Sequence, residues 1–283
     1  MAEDLLPAPG QGPRRLGRRR LLAALAALMI LTAIPGTRAA ETTDPIKVSI
    51  LLYHRLGPTV PNTMTVTTTD FEGQLKTIKT LGYTVIPLKD LLRKLKDPTV
   101  VLPERAVVLT ADDGHRSVYT DMFPLIQRYN IPVTLFIYPS AISNAPYALT
   151  WEQLAEMKKS GLVDVQSHTY WHPNFRVEKK RLTPDAFQKF LQKQLVFSKQ
   201  ALEHHLGGTV DLLAWPYGIY DPELMSAAAK AGYVAAFSID RRPATEAEPI
   251  MALPRYIVSD HDRGPAFARL LKGPIDMKQV SEY

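Results

Sequence analysis

The 283-residue sequence contains no cysteine. That excludes disulfide staples, thiolate zinc sites, a cysteine nucleophile and a lipid-anchoring lipobox cysteine. Glycine is sparse, and Gly114 and Gly218 stand alone, so no glycine-rich phosphate loop is present. No G-x-S-x-G elbow occurs to support a serine hydrolase. Long apolar runs are limited to residues 21–34, so no membrane span is expected after that segment. An excess of basic charge is also lacking once the chain is divided. Of the 34 basic residues, six arginines fall within residues 1–39 against Glu3 and Asp4, leaving 28 basic and 26 acidic residues for the rest. A nearly neutral body gives no electrostatic footprint for nucleic acid. At 46% hydrophobic and 22% charged residues, the chain is neither disordered nor collagen-like.

What is present begins with an address. Arg14-Arg15 and Arg18-Arg19-Arg20 form a positive region, residues 21–34 an apolar run, and Pro35-Gly36 a break before Thr37-Arg38-Ala39. That order reads as a secretory signal peptide over residues 1–39, with a weak resemblance to a twin-arginine signal. The apolar run is short of the roughly 20 residues that span a bilayer. Residues 40–283 are then expected as one domain, exported and working in the periplasm or outside the cell.

That body alternates apolar strand-like runs with amphipathic segments. Strands are expected at 46–53, 83–87, 106–110, 133–138, 162–166, 212–215, 233–237 and 251–258. Helices are expected from a capping box at Thr69, over 117–129, from Thr150, over about 185–205 and over 221–231. Helix–Gly–strand punctuation occurs at Gly82, Gly161 and Gly232. Repeated βα units imply a parallel sheet, and seven or eight in about 244 residues favour an α/β fold built as a distorted (β/α) barrel.

In such folds functional groups gather at the carboxyl ends of the strands. His54 follows the first strand, Asp112 and Asp113 the third, His168 and His172 the fifth, and Pro216-Tyr217-Gly218 the sixth. An Asp pair alone is also what a turn or helix cap carries. Two histidines four residues apart on a helical turn would share one face. Together, one Asp and two His form a two-His-one-carboxylate set suited to Zn2+ or another borderline divalent ion. His261 is a second-rank candidate for an acid, His115 is expected to point outward, and His204 and His205 suit a helix C-terminus.

Thr110-Ala111-Asp112-Asp113-Gly114 resembles the T-F-D-D-G motif of the polysaccharide deacetylases, carbohydrate esterase family 4 with its NodB-homology domain. His168-Thr169-Tyr170-Trp171-His172 is similar to that family's H-S/T-x-x-H motif, Trp215-Pro216-Tyr217-Gly218 to R-x-P-Y-G, and Leu51-Leu52-Tyr53-His54 to L-x-H. The resemblance spans about residues 46–260. It implies Asp113, His168 and His172 as metal ligands, Asp112 as the base that deprotonates the attacking water, and the Tyr217 N–H as an oxyanion donor. The L-x-H match precedes the Asp pair, as in circularly permuted members such as the poly-β-1,6-N-acetylglucosamine deacetylases of biofilm systems. That order implies His54 as the acid. The motif's arginine is replaced by Ala214, and Arg255 is a candidate substitute or else a surface arginine.

The expected activity is therefore metal-dependent hydrolysis of N-acetyl groups on an extracellular or cell-wall glycan. Zn2+ is the expected ion, with Co2+ and Ni2+ fitting the same donors. Trp171, Trp215, Tyr217 and Tyr220 are candidates to line a sugar groove. Two alternatives share these residues: an O-acetyl esterase on a xylan-like polymer, and a catalytically silent glycan-binding protein.

Overall fold

The computed structural model describes residues 46–272. The expected signal peptide at 1–39 lies outside the described residues. In chain order the elements are β1 (Ser49–Tyr53), β2 (Arg55–Gly57), β3 (Thr65–Thr67), α1 (Thr68–Thr80), β4 (Thr84–Val85), α2 (Leu88–Lys96) and β5 (Ala106–Asp112). Then follow α3 (Phe123–Tyr129), β6 (Val133–Ile137), α4 (Trp151–Lys159), β7 (Val163–Ser167), α5 (Phe175–Arg181), α6 (Pro184–Gln192) and α7 (Ser198–Leu206). The chain ends its described course with β8 (Leu212–Ala214), α8 (Pro222–Lys230), β9 (Ala235–Phe237), β10 (Tyr256–Ile257) and α9 (Pro265–Lys272).

Eight of the strands form one parallel sheet in the order β10-β1-β5-β6-β7-β8-β9, with β4 added against β5. Along one edge of β5, β4 occupies the N-terminal half (Thr84↔Ala106) and β6 the C-terminal half (Thr110↔Thr134), while β1 runs along the other edge. The sheet curls until its ends meet. Leu253, just before β10, forms a parallel bridge with Phe237 of β9, and Tyr256 pairs with Leu51 of β1. The distorted parallel barrel expected from the sequence is the fold observed.

Side chains alternate across a strand, so parity decides what faces the interior. Val48, Ile50, Val108, Leu212, Ala214, Ala235 and Phe237 form the interior cluster, joined from below by Leu88, Leu91 and Leu92 of α2. The intervening Leu51, Val107, Leu109, Val163, Val165 and Leu213 belong to the larger cluster under the helices. Counting on by twos, His54, Asp112 and His168 fall on the inward parity at the carboxyl mouth.

Several boundaries differ from the sequence reading. The cap of α1 is Thr67, whose hydroxyl accepts from the Asp70 N–H at 2.9 Å, not Thr69. The strand expected at 83–87 is reduced to β4 before Pro87, and that at 251–258 to a single turn (Ile250–Ala252) and β10. Pro254 has no N–H to give a ladder there. The helical run from α6 to α7 contains a π-helical turn, Lys193–Phe197. α2, α5 and α9 and the two-stranded β2–β3 ribbon are additions. Thr150 does form a capping box with Gln153, with N–H···O distances of 3.3 and 3.0 Å.

Thr150→Ala removes half of that box. It is expected to lower the unfolding free energy by about 1 kcal/mol, read from urea titration, whereas Thr150→Ser should retain most of it. An unchanged midpoint in the alanine variant would show that the box does not stabilise α4.

Candidate active site

The carboxyl mouth of the barrel opens into a cleft of about 410 Å³ lined by His54, Asp112, Asp113, His168, His172, Trp215 and Tyr217, among others. Residues from four separate strands are thus brought together. Asp112 is the last residue of β5, and the chain turns immediately after it. Gly114 N–H donates to the Asp112 carbonyl at 2.9 Å, and Asp113, between them, has φ of 71°. This tight turn aims two successive carboxylates differently. Gly114 itself has φ of 73°, and a Cβ there would lie 2.9 Å from the Ile137 Cδ1 atom. Only glycine relieves both constraints.

Arg255, expected as either a substitute or a surface residue, is fully buried. Its Nη1 and Nη2 donate to the two Asp112 oxygens at 2.9 and 2.8 Å, and Nε donates to the Ser238 carbonyl at 3.1 Å. The guanidinium also lies over the Phe136 ring, 5.2 Å from its centre. A bidentate fork of this kind fixes the carboxylate in orientation as well as in charge. Burial pushes the Asp112 carboxyl up, but the Arg255 charge and hydrogen bonds, with His168, outweigh it and hold Asp112 below the ordinary carboxylate range. Asp113 lacks such a partner and is raised, chiefly by burial.

The two imidazoles do not lie on a helical turn, as the spacing suggested. Residues 168–172 form a loop in which Thr169 and His172 take positive φ of 65° and 61°. His168 Nδ1–H donates to the Ala214 carbonyl at 2.8 Å, which leaves Nε2 free to face Asp113 Oδ1 at 3.7 Å. His172 Nε2 is also 3.7 Å from Asp113 Oδ1. The ligand atoms of Asp113, His168 and His172 all lie within 4.8 Å of one another. Two imidazole nitrogens and one carboxylate oxygen suit a borderline divalent ion with open positions. Burial pushes His168 down to about 3, with Asp112 opposing, and lowers His172 and His54 as well. The His168 and His172 imidazoles are therefore neutral, the form that ligates.

The loop is held from behind by residues the sequence reading missed. Gln194, on the π-helical turn, accepts from the Tyr170 and Trp171 N–H groups, each at 3.2 Å. Ser198 donates to the Thr169 carbonyl at 2.9 Å and meets Ser167 Oγ at 2.8 Å. Both are fully buried. The only sequence signal for them is polar residues on the apolar face of a helix.

Tyr217 has φ of 56°, and among the described residues its N–H is paired with no protein acceptor. Its ring is exposed and lies 4.5 Å from that of His172. Gly218 fixes the turn, because a Cβ there would meet Ile239 Cγ1 at 2.4 Å. Trp215 is buried, donating Nε1–H to the Met251 carbonyl, so it supports the floor and offers no open sugar-stacking face. Trp171 is partly exposed, while Tyr220 bonds Asp240. His261 is exposed beside Asp260 and does not line the cleft. His115 bonds Ser117 at 2.8 Å, and His205 stacks on Trp151.

Comparison with known proteins agrees with this geometry. Residues 99–236 match the family model for polysaccharide deacetylase. YxkH of Bacillus subtilis (strain 168) is 28% identical over 235 residues, covering 82% of this chain and 78% of its own. The poly-β-1,6-N-acetyl-D-glucosamine N-deacetylase of Staphylococcus aureus (strain MRSA252) is 26% identical over 211 residues, covering 73% and 71%. Among solved structures, the Streptococcus pyogenes deacetylase PplD in complex with acetate superposes with a TM-score of 0.71 at 25% identity, over 80% of this chain and 99% of that one.

Arg255→Leu strands the Asp112 carboxylate in the barrel interior. The expected loss is about 3–5 kcal/mol of stability, read by chemical denaturation. Arg255→Leu combined with Asp112→Leu should recover much of it, since no charge is then left unpaired. A double variant as unstable as the sum of the singles would show that the two side chains do not act as a pair.

Proposed function

We propose that the chain, which matches the polysaccharide deacetylase family model over residues 99–236, is a metal-dependent N-deacetylase acting on an exported glycan built on N-acetylglucosamine. The observation that carries this reading is the convergence of three ligand atoms within 4.8 Å beside a second carboxylate clamped by Arg255. Asp113, His168 and His172 hold the ion, and Zn2+ suits their donor types best. When bound, that ion supplies Lewis acidity that polarises the acetyl carbonyl and acidifies a water.

The protein's own groups do the rest. Asp112, kept ionised by Arg255, accepts the proton of the attacking water. Both Asp112 oxygens are engaged by the fork, so it is held apart from ligation while Asp113 remains free for it. The Tyr217 N–H, unpaired in the protein, donates to the carbonyl oxygen as negative charge builds there. His54 delivers a proton to the departing nitrogen, which cannot leave as an amide anion. Gln194 and Ser198 keep the histidine loop rigid, so the two Nε2 atoms need no reorganisation. The absence of arginine at Ala214 was the one support for a silent glycan-binding protein, and Arg255 supplies that guanidinium from the segment just before β10. Among the described residues no helix is long and apolar enough to cross a membrane, and we place the working site outside the cytoplasm, with residues 1–39 as the export signal.

Acetate release from β-1,6- and β-1,4-linked N-acetylglucosamine oligomers tests the reading. Release should stop with a chelator and return with Zn2+, and the better linkage identifies the polymer class. Asp113→Ala, His168→Ala and His172→Ala should each lose bound metal and turnover together. Asp112→Asn should keep metal, measured by elemental analysis, while turnover falls about 10²- to 10⁴-fold. An Asp112→Asn enzyme near the parent rate would overturn the base assignment, and chelator-resistant release would overturn the metal.

A further inference from the structure

One cation in the cleft is not used by the mechanism above. Arg55 opens β2 directly after His54, and its backbone is fixed on both sides. Its N–H donates to the Met64 carbonyl at 3.3 Å, it pairs with Thr65 of β3, and the next N–H, of Leu56, donates to Ser117 Oγ at 2.9 Å. The side chain lines the cleft with Asp113 and His172. Its Nε is buried and has no hydrogen-bond partner. A buried unpaired donor costs about 1–3 kcal/mol. Nε itself is closed to a ligand, and the part of the guanidinium that lines the cleft is what a ligand acceptor would meet.

The protein's carboxylates do not provide one. Asp112 is bound by Arg255, and Asp113 faces His168 and His172. The charge count points the same way. Asp112 and Asp113 balance Arg255 and Arg55, so a divalent ion leaves the loaded cleft with two positive charges in excess. An oxyanion forming on a neutral glycan offsets one of them. The Arg55 fork, with geometry matched to carboxylate or phosphate, is then left for an anion carried by the substrate.

We propose that Arg55 forms an anion-reading subsite, and that the preferred substrate is an acidic glycan bearing a carboxylate or phosphate beside the N-acetylated sugar. The inference rests on the deacetylase reading for the ligand being a glycan.

The test is binding to the full-length, chelator-treated protein, measured calorimetrically, so that neither metal nor turnover enters. Three probes are compared: an oligomer alternating N-acetylglucosamine with glucuronate, N-acetylglucosamine 1-phosphate, and the neutral N-acetylglucosamine tetramer. At least one acidic probe should bind about tenfold or more tighter than the neutral one, and the stronger of the two identifies carboxylate or phosphate as the anion read. Arg55→Gln should erase that preference and leave neutral binding within about twofold, and in the parent protein the preference should shrink as salt rises. Equal binding of all three probes, a preference that survives Arg55→Gln, or one indifferent to salt would overturn the subsite. The salt series needs no variant, so it stands even if Arg55→Gln does not fold. Acetate release by the metal-loaded parent is measured separately. Its absence would sink the deacetylase reading without touching the binding result.

Discussion

The buried pair between Arg255 and Asp112 is the interaction on which the site depends. Two opposite charges sit inside the barrel, each fully enclosed, joined by two hydrogen bonds at 2.9 and 2.8 Å. Such a pair gives little net stability, since desolvation offsets the Coulombic gain, yet either member alone would be strongly unfavourable. Its value lies in what it fixes. Arg255 comes from the segment between Leu253 and Tyr256 that joins the two ends of the sheet, so closing the barrel and orienting the carboxylate are one event. Asp112 Oδ2 lies 3.6 Å from His168 Nε2, but both its oxygens are hydrogen-bonded by Arg255, whereas Asp113 Oδ1 faces both imidazoles at 3.7 Å without such a clamp.

A second constraint is conformational. Asp113, Thr169, His172 and Tyr217 all have positive φ without being glycine. Three of them line the cleft, and Thr169 is buried in the loop that carries the two histidines. Residues held this way cost about 1–3 kcal/mol each and persist where the surroundings over-determine them. Here the surroundings are identifiable. Gln194 and Ser198 hold the histidine loop, Gly114 lets β5 turn against Ile137 and Ile142, and Gly218 lets Tyr217 turn against Ile239. The sheet supplies position through strand parity, and these short turns supply direction.

Much of this was legible in the sequence. The parallel barrel followed from βα alternation, and the gathering of His54, the Asp pair, the two histidines and Tyr217 followed from their places after strands. What was not legible depended on distance in space. At their spacing His168 and His172 would share one face on a helical turn, but the preceding strand and Pro173 already pointed to a loop. What the sequence did not show is that positive φ at Thr169 and His172 shapes that loop so the rings meet. The partner of Asp112 lies 143 residues away, in the segment just before β10, and nothing in the sequence around Arg255 distinguishes an interior arginine from an exposed one. Gln194 was hidden for a related reason. A π-helical turn shifts the face of the helix, and Gln194 on that turn is the residue that bonds the ligand loop.

Ala214 ties these threads together. Its side chain belongs to the interior cluster, while its carbonyl accepts from His168 Nδ1–H and sets that ring's tautomer. The strand β8 therefore contributes through its backbone what it does not contribute through a side chain. The guanidinium that Asp112 requires enters from the closing segment and lies over the Phe136 ring. An arginine at 214 and one at 255 would place two cations on one carboxylate and leave one of them buried and unpaired. The small residue at 214 and the buried arginine at 255 are thus two halves of a single solution to one electrostatic requirement.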